Sequence, residues 1–423
     1  MNDIQTNQKI VLGIIGLGAR TETLLASLFS LDGVEIGAVC DISDKAIAKI
    51  LGIFEKANRP KPAVFKNHRE LLAQPQVEAI LAPTSWNSHL PIAIDALEAG
   101  KYIGIEVGGA ASLDELWQLV HASERTGTPC MMLENCCYGR NELMVLNMVR
   151  QGIFGEIVHC SGGYEHDLRD ELALQADRGL ERSLQNRYRN GDLYPTHQLG
   201  PIAKTLRINR GNRFLTLTST ASKSRGFQDF AQRTAGQDLK FAKGDVVQSV
   251  ITCAGGELVT LTHCVSLPRP YSRNGRVQGT RGLWLEEANG IYIDGVSRTE
   301  ELLDPAGNPY GVHHWDAVEK FYEQYDHPIW RAYHSQTIGG HGGMDALALS
   351  AFFDAVRNRT ETPIDVYDCA TWMAVTCLSE QSIALGSHPV AFPDFTNGKW
   401  INRSPAPVNR WALDQVAKER DSR

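Results

Sequence analysis

Apolar positions along residues 9–133 switch between two periods. Short unbroken apolar runs, the pattern of strands buried on both faces, lie at 10–15, 34–40, 78–82, 102–106 and 129–133. Near 19–31, 43–57, 67–73, 88–99 and 112–126 the apolar residues recur at helical spacing instead. The last of these carries its own punctuation. Ser112 with Glu115 forms a capping box, Leu113, Leu116, Trp117 and Val120 make one stripe, and Gly127 stands where the helix should stop. Strand and helix alternating in this way predict a parallel, doubly wound sheet. Ligands of such sheets bind at the carboxyl ends of the strands. That rim holds Gly16–Arg20, Asp41, Pro83–His89, Glu106-Val107 and Glu134-Asn135.

A further helix is expected over 139–151, through Leu143, Met144, Leu146 and Val149, ending at Gly152. The texture then changes. Runs at 156–163, 214–222, 245–253, 258–265, 276–286 and 290–294 alternate apolar and polar residues, as in Leu215, Leu217 and Val259, Leu261. Few helices separate them, so this part predicts a largely antiparallel open sheet. One face would support a ligand and the other a second subunit. Residues 344–357 and 367–386 return to helical period, whereas 226–244 and 299–335 read as long loops.

The first strand, turn and helix bear a recognisable chemistry. Lys9 to Arg20 reads KIVLGIIGLGAR, an apolar run ending in Gly16-Leu17-Gly18 and followed by a helix, with Asp41 closing the next strand. This is the layout of a dinucleotide site. Gly16 allows a tight turn, and Gly18 lets the backbone approach a pyrophosphate at a helix N-terminus. Thr21 occupies the third fingerprint position in place of glycine or alanine. Asp41 can accept from a ribose diol, and its charge disfavours a 2′-phosphate, so NAD is expected over NADP. The fold class is therefore α/β: a Rossmann doubly wound parallel sheet at 1–152, and a second α+β domain at 153–423 whose C-terminal helices are positioned to pack back on the first.

Composition narrows the partners. A chain of 423 residues suggests two or three domains, and 43% hydrophobic content supports a large core. A net charge of −7 offers no basic field for nucleic acid. No apolar run reaches the ~18 residues of a membrane span. MNDIQTNQK at the N-terminus has no apolar segment, which points to the cytoplasm. The nine cysteines are odd in number and form no C-x-x-C, as expected of buried free thiols. Adjacent Cys136-Cys137 would chelate one ion poorly. With His166, Asp167, His197, His263 and His341 in no ligand spacing, no metal is expected.

Three loop-prone clusters concentrate Tyr, His, Asp and Arg: Gly162–Arg169, Arg189–Pro201 and Pro268–Arg273. Such groups hydrogen-bond polyols and move protons. A fourth run, Gly339–Asp345, reads either as a flap carrying His341 to a ligand or as the N-terminal turn of a helix.

Together these blocks resemble a known family. The whole chain resembles the glucose–fructose oxidoreductase/inositol dehydrogenase (Gfo/Idh/MocA) superfamily, and more closely glycoside hydrolase family 109, the NAD-dependent N-acetylgalactosaminidases. The likeness rests on Met132–Asn135, GGYEHDLR at 162–169, RNGDLYPTH at 189–197, LGP at 199–201, INRGNRF at 208–214 and GGHGGMD at 339–345. It implies that NAD is held at Ala19, Arg20, Asp41, Trp86, Asn87, Ser88, His89, Glu106, Val107 and Asn135, beside Gly16 and Gly18. It implies that the sugar is held at Tyr164, Arg182, Tyr194, Pro195, Thr196, His197 and Tyr271. Dehydrogenases of the superfamily usually carry Glu-Lys-Pro where this chain has Glu106-Val107-Gly108. Within family 109, residues 170–188 match poorly, and Trp86-Asn87-Ser88-His89 keeps only the ends of the usual W-x-x-H.

The mechanism implied is a redox detour, an exception among glycosidases. NAD⁺ takes a hydride from sugar carbon 3, and the ketone acidifies the hydrogen at carbon 2. A base removes that proton, the aglycone leaves carbon 1, water adds, and the hydride returns. His197 is the expected base near carbon 3 or carbon 2, since histidine titrates near neutral pH. Tyr164 is expected to serve the other proton transfer or to polarise the ketone, with His166 and Tyr138 as alternates. A net sugar or cyclitol dehydrogenase and a non-catalytic NAD or sugar sensor are the rival readings, because fold alone does not fix function. The expected partners are a small-molecule glycoside and, through the open sheet, further copies of the chain in a dimer or tetramer.

Overall fold

A computed structural model describes residues 9–174, 180–297, 305–307, 315–333, 340–404 and 409–414. Its contacts fall into two compact units. The first takes the described residues of Met1–Tyr138, Tyr333–Cys377 and Pro405–Leu413, and the second those of Gly139–Ala332, Leu378–Ser404 and Asp414–Arg423.

In the first unit, strands β1 (Ile10–Ile15), β2 (Val34–Cys40), β3 (Ala63–Phe65), β4 (Ala79–Ala82), β5 (Tyr102–Ile105) and β6 (Cys130–Met132) form one parallel sheet. Its order is β3-β2-β1-β4-β5-β6. Helices α1 (Ala19–Ser30), α2 (Asp44–Lys56), α3 (His68–Leu72), α4 (Trp86–Glu98) and α5 (Leu113–Thr126) connect the strands. The order reverses between β1 and β4, which opens a crevice at their carboxyl ends. Every residue of β4 and β5 is buried, the reason their sequences are unbroken apolar runs. The punctuation of α5 is real. Ser112 Oγ accepts from the Glu115 N–H at 3.2 Å, and Gly127 closes the helix at φ +65°. A cap of this kind is worth ~1 kcal/mol. Strand β3 escapes the sequence pattern because it is three residues long, with exposed Ala63 and Val64.

The second unit begins with α6 (Arg140–Arg150), β7 (Ile157–Glu165), α7 (Arg169–Leu172), α8 (Glu181–Tyr188) and α9 (Thr196–Thr205). It continues through β8 (Phe214–Ala221), α10 (Gly226–Ala235), β9 (Val247–Cys253), β10 (Leu258–Cys264), β11 (Arg276–Gly279), β12 (Gly282–Leu285), β13 (Gly290–Ile293) and β14 (Asp316–Ala317). Short helices α11 (Tyr322–Tyr325) and α12 (Pro328–Tyr333) follow. The chain then supplies α13 (Met344–Asn358) to the first unit, where it packs on α1. Helix α14 (Val366–Ala384) belongs to the first unit through Cys377, and β15 (Val390–Ala391) belongs to the second. The nine-stranded sheet runs β14-β13-β12-β11-β7-β10-β9-β8-β15. It is antiparallel except at β7 and β10, which pair in parallel.

Four expectations need correction. The segment 226–244 is not all loop, because Phe227, Phe230 and Ala231 share a helical face in α10, and Phe227 and Ala231 join the core there. The run 276–286 is not one strand but the hairpin β11–β12, turning at Thr280-Arg281. Within 299–335, residues 315–333 carry β14, a 3-10 turn, α11 and α12, whereas 299–304, 308–314 and 334–335 lie outside the described residues. Helix α4 begins at Trp86, before the apolar period does. All nine cysteines are free thiols, eight of them buried. Among the described residues no helix is long and apolar enough to cross a membrane.

Candidate functional site

In the first unit the polar rim starts at the turn after β1. Gly16 sits at φ +93°, and a Cβ there would stand 2.8 Å from Thr84 Cγ2, so only glycine makes this turn. No side chain caps the first turn of α1, whose N–H groups are therefore available to an anion. Thr21, the departure at the third fingerprint position, is fully buried and donates its hydroxyl to the Gly16 carbonyl at 2.5 Å. It ties helix to turn where a smaller residue would only pack. Asp41 accepts from the N–H groups of Leu17 at 2.7 Å and Ser43 at 2.8 Å. It braces the glycine loop, and a carboxylate with about four lone-pair sites retains capacity for a ribose diol. A cleft of about 340 Å³ follows this rim, lined by Gly16, Gly18, Asp41, Ile42, Ser85 and Ser88 among others. Ile42, 89% exposed, puts an apolar surface at its edge. These features fit a dinucleotide.

The neighbouring predicted residues divide by role. Ala19 is exposed as the first residue of α1. The Trp86 indole lies over Gly108, where a Cβ would come within 2.6 Å of Nε1. The indole therefore leaves no room for a side chain at Gly108. Asn87 is exposed, and Ser88 shares a 3.1 Å hydrogen bond with Ser85. His89 turns inward. It is buried, neither ring nitrogen finds a partner among the described residues, and burial lowers its pKa to about 4. Tyr138 is also fully buried, with its hydroxyl on the Trp411 carbonyl at 3.4 Å.

Arg20, which also pairs with Glu106, and Asn135 converge on a residue that sequence reasoning did not single out. Arg20 Nε donates to Glu106 at 2.7 Å, and its two terminal nitrogens donate to Asp345 at 3.0 Å each. Asn135 Nδ2 donates to Asp345 at 2.8 Å, and His341 Nδ1 stands 2.9 Å from the same carboxylate. Burial pushes Glu106 up, and the Arg20 charge opposes it. Burial also works against ionised Asp345, but the bonds from His341 and Arg20 hold it well below the usual carboxylate range. Val107 is buried beside Glu106. The run ending in Asp345 is the turn alternative: His341–Gly343 is a 3-10 turn leading into α13. Gly339 lies outside the described residues.

In the second unit, Tyr164 near the end of β7 is the centre of an aromatic and histidine cluster. Its hydroxyl lies 3.1 Å from His166 Nδ1 and receives Arg182 at 3.4 Å. Ring centroids stand 4.6 Å away at Tyr194, 5.6 Å at His197 and 6.1 Å at Tyr271. The Arg182 guanidinium lies 4.7 Å over the Tyr194 ring. Tyr164, Arg182, Tyr194, His197 and Tyr271 are thus brought together. Pro195 and Thr196 open α9, which packs on β7. Sequence reasoning missed His263 as a member. The parallel register sets it opposite Tyr164, with rings stacked at 6.3 Å. Its signal was its place in the alternation of β10.

Electrostatics favour neutral imidazoles here. Burial, then Arg182, lower His166, and burial with Lys243 and Arg182 holds His263 well below its ordinary range. Burial pushes the Asp192 carboxyl up, against the Tyr194 N–H and Lys243.

Comparison with known proteins settles the family. Residues 138–402 match the family described as "Glycosyl hydrolase 109, C-terminal domain". The chain belongs to glycosyl hydrolase family 109. Residues 10–134 match "Oxidoreductase family, NAD-binding Rossmann fold". Among similar family members, an alpha-N-acetylgalactosaminidase of Tannerella forsythia is 40% identical, over 93% of this chain and 88% of that one. A glycosyl hydrolase family 109 protein of Parabacteroides distasonis is 39% identical, over 94% and 89%. Solved structures share the fold. A levoglucosan dehydrogenase in complex with NADH and L-sorbose matches with TM-score 0.71 at 16% identity, over 92% of this chain and all of that one. An NAD binding oxidoreductase from Klebsiella pneumoniae matches with TM-score 0.69 at 15% identity, over 91% and 99%.

Proposed function

We propose that this chain is a glycosidase cleaving N-acetylgalactosaminides or related glycosides, with NAD as a recycled cofactor. The observation that carries this reading is the Tyr164–His166–Arg182 arrangement within the family 109 portion. Arg182 donates to the phenolic oxygen, and with His166 in its Nε2–H tautomer the Tyr164 hydrogen goes to His166 Nδ1. A neutral His166 has that nitrogen open to accept. Together they make a path for a proton leaving a sugar hydroxyl.

NAD, when bound, supplies a hydride acceptor for sugar carbon 3 and gives the hydride back at the end. The N-terminus of α1, Asp41 and Ser88 would contact it. Arg20, Glu106, Val107 and Asn135 would wall the site, and Trp86 and His89 would pack beneath it. The chain's side chains do the rest. Tyr164 takes the proton from the carbon 3 hydroxyl while its own passes to His166. With carbon 3 at the ketone level, loss of the carbon 2 proton leaves a delocalised enolate. His197 takes that proton, and the bond from carbon 1 to the aglycone oxygen breaks with its electron pair leaving on oxygen. Water adds at carbon 1, its released proton going to the aglycone oxygen, while His197, exchanging with solvent, returns a proton to carbon 2. When carbon 3 is reduced again, His166 and Tyr164 pass their proton back to its oxygen. Arg182, Tyr194 and Tyr271 hold the ring and its substituents.

The likeness to levoglucosan dehydrogenase favours a second reading, a net sugar or cyclitol dehydrogenase. One assay separates them: a panel of nitrophenyl glycosides with nitrophenol and NADH absorbance followed together. Many turnovers of nitrophenol without net NADH are expected. NADH accumulating with an oxidised sugar, and no nitrophenol, would establish the dehydrogenase. Indifference to both NAD and glycosides would overturn both. The open sheet supports a homodimer or tetramer, since Val250 and Leu258 are 38% and 40% exposed on its outer face.

A further inference from the structure

Tyr271 lies in the connection between β10 and β11, and it is 49% exposed. Its ring nonetheless holds edge-on contacts, 5.1 Å from His166 and 6.1 Å from Tyr164. A half-exposed side chain on a loop needs a reason to stay in one place, because ordering it costs conformational entropy.

The reason is on either side of it. Arg269 forms an ion pair with Glu165, whose side chain is 8% exposed. Arg273 reaches Glu142 at 2.5 Å and Glu286 at 3.3 Å. Glu142 is on α6 with 4% of its side chain exposed, and burial pushes its carboxyl up while Arg273 opposes that shift. The backbone adds a second layer. Ser272 and Glu165 exchange both N–H···O bonds, at 2.9 and 3.1 Å, and the Gly163 N–H reaches the Arg273 carbonyl at 2.8 Å. The loop is thereby stitched to the end of β7, two residues around the same Tyr164 that it faces. Buried charges of this kind tolerate little movement, since separating one leaves an unpaired charge out of water.

We propose that Arg269 and Arg273 are positioning residues that fix Tyr271 as a preformed aromatic wall of the sugar site, and that this wall, not a closing loop, sets the fit to the ring and its substituents. The inference rests on the sugar-binding reading of the Tyr164 cluster. Neither arginine is assigned to touch the reacting atoms. Their effect on the substrate passes through Tyr271.

A double-mutant cycle tests this on the full chain with a nitrophenyl N-acetylgalactosaminide. Arg273→Met and Tyr271→Ala are each expected to raise KM at least about tenfold while kcat changes little, and the double variant should be no worse than Tyr271→Ala alone. Arg273→Lys should recover part of the loss. Additive effects, or an unchanged KM in Arg273→Met, would overturn the proposal. If Arg273→Met does not fold, as judged by thermal melting, Arg269→Met enters the same cycle. If the wild-type protein releases no nitrophenol, the reaction reading fails, and the cycle is read instead on the dissociation constant for free N-acetylgalactosamine. Additivity there, or no measurable binding by the wild type, would overturn the wall itself.

Discussion

Arg20 in the first unit and Arg182 in the second are arginines in different surroundings. In the first unit Arg20 is matched against Glu106 and Asp345 in a closed set of ion pairs. In the second, Arg182 lies over the rings of Tyr164 and Tyr194 and also pairs with the Glu171 carboxylate at 3.9 Å. Paired charges hold shape and resist titration. A cation against phenols, beside imidazoles kept neutral by burial, leaves protons with somewhere to go. The first arrangement suits holding a cofactor, and the second suits acting on a sugar.

The largest expected effect tests that division at its reactive end. His197→Ala should lower kcat by roughly 10²–10⁴-fold, with little change in melting temperature. Normal turnover would remove His197 as the base. Asp345→Ala should do the reverse. Breaking the buried pair with Arg20 is expected to cost about 3 kcal/mol in denaturant unfolding and to weaken NAD in a fluorescence titration. Unchanged stability would remove Asp345 from the scaffold.

Buried His89 sharpens the contrast through pH. It binds a proton near pH 4 when folded but near its ordinary 6.5 when unfolded, so acid favours the unfolded chain between those values. Its share of stability should fall by about 2 kcal/mol from pH 7 to pH 5, and His89→Phe should flatten that part of the profile. The smallest effect is expected at His166. Its pKa is lowered from 6.5, so kcat/KM should drop only as pH falls below that value. In His166→Asn that acid limb should shift or vanish, and a limb left in place belongs to another group.

Local signals were legible where one short segment carries the whole device. The glycine turn, Asp41 and the capped α5 are of this kind, and so are the GGY and YPTH blocks that hold Tyr164 and His197. What escaped depends on pairing between distant segments. Asp345 lies 325 residues from Arg20, and nothing local marks it as that arginine's partner. His263 was readable as a strand residue, but its place beside Tyr164 requires the parallel pairing of β7 with β10, in a sheet whose other pairings among the described residues are antiparallel. Helix α10 was hidden because its polar sequence buries only Phe227 and Ala231 fully.

Exchange at sugar carbon 2 separates elimination from every direct displacement. A nitrophenyl N-acetylgalactosaminide is hydrolysed by the protein in D₂O, and the released sugar is read by proton NMR. Deuterium at carbon 2 of the product, with protium retained at carbon 3, is the expected result. A product that keeps its original hydrogen at carbon 2 would contradict the account.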